Sequence, residues 1–163
     1  MISSSFRRYA VSMQKRNFSS ANQRRVAESL INPLSASESS AAASLPRVAL
    51  CEEQLNYLQT IAEGWAFPLK RFMNEQELIE SMNMNTITDE NGERHILSVP
   101  ITQHITAEQK DQLEGQNRVA LTWKDEIMAI IEEPEIFDNR KEEICAKTFG
   151  THSQNHPKIG RIW

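Results

Sequence analysis

The thirteen residues from Ile61 to Met73 (IAEGWAFPLKRFM) limit most sharply what this chain can fold into. Gly64, Trp65, Phe67, Pro68 and Phe72 fall within nine positions. Pro68 removes a backbone donor and drives Phe67 away from helical geometry, so no regular helix passes through the run. It does not alternate like a strand either. The run therefore reads as an irregular connection, with the rest of the chain as scaffold on either side. Its aromatics, Trp65, Phe67 and Phe72, are expected in the core rather than in a ligand cage, with some of their surface left for a domain interface.

The flanks show clear periodicity. Glu52 to Ala62 sets Leu55, Leu58, Ile61 and Ala62 at helical spacing, with acids in the first turn and Gly64 as the stop. Asn74 and Glu77 make a capping-box pattern, which predicts a helix to about Asn83 with Leu78, Ile79 and Met82 inward. Asn91-Gly92 signals a tight turn between strand-like runs, the second running from His95 to Ile105 with a break at Pro100. Thr106 and Gln109 cap a further helix, stopped by Gly115. Arg118–Trp123 and Glu126–Ile131 read as a hairpin around Lys124-Asp125. Pro134 predicts a helix start, running to about Lys147 with Ile136, Phe137, Ile144 and Cys145 toward the core, and ended at Gly150. Helices and short strands alternate without a regular βαβ rhythm. The expected class is α+β with a largely antiparallel, partly closed sheet.

Composition divides the chain unevenly. It has 163 residues, 39% apolar and 25% charged, enough for one domain with a core. Residues 1–27 hold Arg7, Arg8, Lys15, Arg16, Arg24 and Arg25 and no acid. The other 12 of the 18 basic residues face all 22 acids, a net of −10 for residues 28–163. So acidic a body argues against nucleic acid, whose phosphates need a basic footprint. Mean hydropathy is −0.53, and no apolar run reaches the ~18 residues of a membrane span. The Ser- and Arg-rich start has the composition of an organellar transit peptide. Arg16-Asn17-Phe18-Ser19 resembles a mitochondrial processing site. Mitochondria are the expected location, with plastid or cytoplasm as the alternatives. Ser35 to Ser44 is low-complexity and expected to be a linker.

Each chemically suggestive group has a simpler structural reading. His152 and His156 are four apart, but two ligands do not make a zinc site, and Pro157 argues for a loop. Cys51 and Cys145 are too few for a disulfide framework, and Cys145 lies on an apolar stripe. Glu132, Glu133 and Glu135 around Pro134 read as a solvated face. Arg140 and Lys141 are followed at once by Glu142 and Glu143, as in a salt-bridged helix surface. No Gly-x-x-x-x-Gly-Lys-Ser/Thr loop is present to cradle phosphates.

Order and spacing from Leu45 to Ile159 resemble a known family. The run Gly64-Trp65-x-x-Pro68-Leu69-x-x-Phe72-Met73 is followed by Ser98-Val99-Pro100-Ile101, Pro134-Glu135-x-Phe137 and Arg140-Lys141-Glu142-Glu143-x-Cys145-Ala146. Gly150-Thr151 and Asn155-His156-Pro157-x-Ile159 close the series. Together they resemble ATP sulfurylase (sulfate adenylyltransferase), as found in bifunctional PAPS synthases. Arg71 stands where that family usually has Gly, which would strain the backbone if φ were positive there.

The resemblance implies an N-terminal PUA-like β-barrel decorated with helices over residues 45–159. A leader and linker over 1–44 would precede it, and 160–163 would be a divergent end. It also implies sulfate activation, in which ATP and sulfate give adenylyl sulfate and pyrophosphate. In the family, ATP with magnesium is held by a Gln-x-Arg-Asn-Pro-x-His-x-x-His stretch and a Gly-Arg-Asp in a following nucleotidyltransferase domain. Neither motif occurs in these 163 residues. The expectation is therefore a truncated piece that is inactive alone, with no catalytic, cofactor-binding or metal residue. Its partner would be that missing domain or a full-length sulfurylase, with no nucleic acid and no membrane. The alternatives are a free-standing PUA-like module, for RNA, and a non-catalytic protein docking on a sulfurylase through its aromatic surface.

Overall fold

The computed structural model describes residues 9–10, 31–33 and 35–162. Arg16, Asn17, Phe18 and Ser19, and most of the expected leader, lie outside the described residues. In chain order the elements are β1 (Tyr9–Ala10), β2 (Asn32–Pro33), α1 (Ala36–Ala42), β3 (Arg47–Ala49), α2 (Glu52–Ala62), α3 (Glu75–Met84), β4 (Thr86–Thr88), β5 (Arg94–Ile96), α4 (Ala107–Leu113), β6 (Arg118–Trp123), β7 (Glu126–Glu132), α5 (Lys141–Ile144), a π-helical turn (Cys145–Phe149) and α6 (Ile159–Ile162). They fall into two compact units: residues 1–71 with 105–134, and residues 72–104 with 135–163.

The first unit is built on a three-stranded sheet in the order β3-β6-β7. β6 is the central strand, and Val119, Ala120, Leu121 and Thr122 are all buried. Buried on both faces, it shows no polar alternation. β6 and β7 form the expected antiparallel hairpin. Lys124 and Asp125 both take positive φ, +48° and +65°, as a two-residue turn matching strand twist requires. The register shifts between Leu121 and Thr122, leaving Met128 as the extra residue of a bulge. β3 pairs with β6 in parallel, an arrangement the alternation pattern did not reveal. A three-residue strand just after Pro46 carries too little pattern to be read, and parallel pairing requires a long crossover.

Helix α2 has the predicted bounds, with Leu58, Ile61 and Ala62 buried. Leu55 is half-buried, and Gln54 is buried instead, its carbonyl oxygen accepting the Cys51 amide at 2.9 Å. Ser35 to Ser44, expected as a linker, contains α1, because Ser35 and Glu38 cap each other reciprocally.

The second unit sets α3 and the β4–β5 hairpin beside α5, the π-helical turn and α6. Leu78, Met82 and Ile144 form one cluster of its core, with Phe137, Phe149 and Ile162 packed against them. The Asn74–Glu77 capping box is present with both hydrogen bonds, at 2.8 and 2.9 Å. Two expectations fail here. The strand-like run after His95 stops at Ile96, with one further bond from the Leu97 amide to the Asn85 carbonyl, and Pro100 has no donor with which to continue. The helix expected from Pro134 begins only at Lys141. Long-range polar contacts compete with helix propensity over this stretch. The Glu135 carboxylate accepts the Glu75 amide, and Arg140 is held by Glu75.

The helix content and short strands bear out an α+β class, but the described strands do not close into a barrel. They form three open sheets of two, three and two strands. No helix among the described residues is long and apolar enough to cross a membrane.

Candidate functional site

The aromatic loop departs most from expectation. Gly64, at φ +81°, turns the chain out of α2. The Trp65 and Ala66 amides both donate back to the Thr60 carbonyl, at 3.0 and 3.4 Å. Phe67 and Leu69 donate to Gly64 and Ala66 at 3.3 and 2.8 Å. Four backbone bonds thus hold the turn. Ala66 and Leu69 are the residues it buries; Trp65 is 77% exposed and Phe67 41% exposed. The expectation that these aromatics fill the core is corrected. The small residue and the leucine fit the space under the turn, and the larger rings point outward. Trp65 Nε1 donates to the Glu63 carboxylate at 3.1 Å, which orients the indole without covering it. Phe72 is half-buried. Arg71 is not a positive-φ position, so its replacement of Gly introduces no left-handed strain.

The β4–β5 turn gathers Asp89, Glu93 and His95. Their donor atoms lie within 4.8 Å of one another, the one such group of three among the described residues. Asp89 Oδ1 accepts the Asn91 and Glu93 amides at 2.8 and 2.9 Å. Its Oδ2 meets Asn91 Nδ2 at 3.4 Å and His95 Nε2 at 3.1 Å. Burial pushes the Asp89 carboxyl up, but the Glu93 amide, the His95 ring and the Asn91 donors outweigh it and hold its pKa at about 2. Both Asp89 oxygens are thus engaged within the turn, and the carboxylate clasps the hairpin. Sequence reasoning tested His152 and His156 for metal and passed over this group. The spacing Asp89-x-x-Gly92-Glu93-x-His95 around a tight turn was the signal available.

The cations and remaining candidates are taken up structurally. Arg140 Nη2 and Nε reach the same Glu75 oxygen at 2.6 and 3.2 Å, and Nη1 reaches Glu143 at 3.1 Å. Glu75 first, then Glu143, raise its pKa further above an already high value. The Glu143 bond is the expected helix-surface pair. The Glu75 bond, 65 residues away in sequence, has no local signal. Arg118 meets Glu132 at 3.5 Å. Glu133 sits at φ +51° with its amide on the Asn117 carbonyl.

His156 packs at a tilt against Phe149, with ring centroids 5.1 Å apart and planes at 41°, and its Nδ1 accepts the Lys158 amide. His152 is exposed on the same loop. Cys145 is wholly buried, as its apolar stripe predicts, and Cys51 is exposed at the start of α2.

The PUA-like domain family model matches residues 20–163. The chain is 35% identical over 117 residues to ATP sulfurylase 2 of Arabidopsis thaliana, covering 71% of this chain and 25% of that protein. It is 34% identical over 114 residues to the chloroplastic ATP sulfurylase 4 of the same plant, and 29% identical over 128 residues to the sulfate adenylyltransferase of Schizosaccharomyces pombe. These cover 68% and 75% of this chain and about a quarter of each relative, so the chain spans about a quarter of the length of the curated relatives it matches. By the extent of the family match and the sulfurylases' identity over about 70% of its length, the chain belongs to the PUA-like domain family as it occurs in ATP sulfurylases.

Proposed function

We propose that this chain serves as the N-terminal, supporting PUA-like domain of a sulfate adenylyltransferase, and that the chemistry of that enzyme lies on a region this stretch does not contain. The reaction is attack of sulfate on the α-phosphate of ATP, giving adenylyl sulfate and pyrophosphate. Two anions must be brought together against their repulsion, which takes convergent cations and hydrogen-bond donors. The observation that carries the reading is the 35% identity to ATP sulfurylase 2 over 71% of this chain. The disposition of charge agrees with a supporting role. Arg140 and Arg118 face carboxylates, and His156 packs on an aromatic ring.

The test is a coupled pyrophosphate-release assay on two proteins. The full chain alone gives no sulfate-dependent release above background. The full chain substituted for the matched region of ATP sulfurylase 2 from Arabidopsis thaliana restores sulfate-dependent turnover. Activity of the chain alone would overturn the supporting role, and an inert or insoluble chimera would overturn the domain assignment. A free-standing PUA-like module for RNA is the second reading. The net charge of −10 on residues 28–163 disfavours it.

A further inference from the structure

We propose that Asp89, Glu93 and His95 bind one divalent transition-metal cation of the zinc class, which cross-links the two strands of the β4–β5 hairpin. The site goes beyond the domain assignment made above and does not depend on it.

The hairpin brings the three side chains to one face. Glu93 and His95 are two positions apart, and residues so spaced along an extended chain point to the same side. The register pairs Ile87 with His95 and Thr88 with Arg94. The Asp89 amide donates to the Glu93 carbonyl at 2.9 Å, which carries the pairing on to Asp89 opposite Glu93. Directly opposed residues share a face. Seven consecutive residues thus supply an imidazole and two carboxylates to one spot.

The separations suit a shared ion. Zinc–oxygen and zinc–nitrogen bonds are each ~2.0–2.1 Å, so two donors on one ion stand about 3.0 Å apart at a right angle and about 3.4 Å apart at the tetrahedral angle. Asp89 Oδ2 and His95 Nε2 are 3.1 Å apart. The Glu93 carboxylate lies within 4.8 Å of both, on an exposed residue whose side chain can close the remaining gap. A hydrogen bond accounts for Asp89 and His95 but not for a second carboxylate beside them. Like charges on one face repel, and a doubly charged cation between them converts that repulsion into attraction.

The first ligand is already oriented. Asp89 Oδ1 accepts the Asn91 and Glu93 amides at 2.8 and 2.9 Å, which turns Oδ2 toward the imidazole. Ligating carboxylates are commonly fixed by such hydrogen bonds. Only 7% of the Asp89 side chain is exposed. Oδ2 and Nε2 now meet through a proton, whose place the cation takes, and the 3.4 Å contact from Asn91 Nδ2 is long enough to yield. One nitrogen with two oxygens suits zinc, whereas magnesium and calcium favour oxygen alone. Three protein ligands leave a coordination position for water. Each strand of the hairpin has three residues, and a two-stranded hairpin is marginal by itself, so a cation joining the strands stabilises it.

The experiment titrates zinc chloride into the full chain, stripped of metal and without a histidine tag, by calorimetry and by thermal melting. One equivalent binds, and at ~100 times the Kd the Tm rises by about 5 °C. Glu93→Gln and His95→Gln each weaken zinc ~10-fold or more, while Cys51→Ser and His152→Gln change it by less than about twofold. Magnesium at the same concentration leaves the Tm unchanged. Absence of zinc binding by the parent would overturn the site. So would an affinity that both hairpin variants retain, or a loss in Cys51→Ser or His152→Gln equal to theirs. An equal shift with magnesium would overturn it too, since the imidazole would then contribute nothing. If His95→Gln fails to fold, Glu93→Gln, at an exposed position, decides by itself.

Discussion

Asp89 shows how much one carboxylate can organise. Two amides, one side-chain amide and one imidazole converge on its oxygens across the β4–β5 turn. Because the folded state holds its pKa at about 2 against an ordinary 3.8, the folded state binds the proton less readily than the unfolded chain. The stabilisation is therefore complete above about pH 4 and is lost as pH falls through 2. The shift corresponds to roughly 1–2 kcal/mol after allowance for solvent at a surface turn. Asp89→Asn keeps the shape and one acceptor but removes the charge. Urea unfolding should show it less stable than the parent by about that amount at pH 7, with the gap narrowing steadily between pH 4 and pH 2. A constant gap across that range would mean that the charge is not what closes the turn.

At the scale of elements, local chemistry was legible wherever it was sufficient by itself. The capping boxes at Asn74 and Thr106, the α2 bounds and the two-residue turn at Lys124-Asp125 all follow from residues within four positions of each other. What escaped depends on distant partners. Residues 134–140 are not helical, and Glu135 and Arg140 there bond to Glu75, on α3 some sixty positions earlier. The parallel β3–β6 pair joins residues more than seventy positions apart, and the outward rings of Trp65 and Phe67 follow from what fits beneath them. Gly160 in α6 shows the same competition. Propensity alone would reward Gly160→Ala by about 1 kcal/mol. A Cβ there, however, would stand 2.9 Å from the Gln154 carbonyl oxygen, a backbone atom that cannot swing aside. Overpacking of this kind costs ~1–3 kcal/mol, so the clash outweighs the propensity. Gly160→Ala should lower the Tm; a raised Tm would show that the 154–160 loop yields freely.

For the whole molecule, the formal charge of −4 conceals a division that bears on function. Six cations and no acid lie in residues 1–27, and a net of −10 lies in the remainder. Any attraction to nucleic acid must then come from the first segment, since the rest repels phosphate. Six cations neutralising six phosphates give a slope of log K against log salt no steeper than about −5. Binding of the full chain to duplex at low salt should show at most that slope. It should disappear when Arg7, Arg8, Lys15, Arg16, Arg24 and Arg25 are all changed to Gln. A filter-binding titration over a salt series measures both. The contrary result is equally definite. If the neutralised chain held structured RNA at physiological salt, the contacts would have to be made by the acidic body through base stacking and hydrogen bonds rather than charge. The exposed Trp65 and Phe67 would be the first rings to examine, and the free-standing PUA-like module would replace the sulfurylase domain as the better account of this protein.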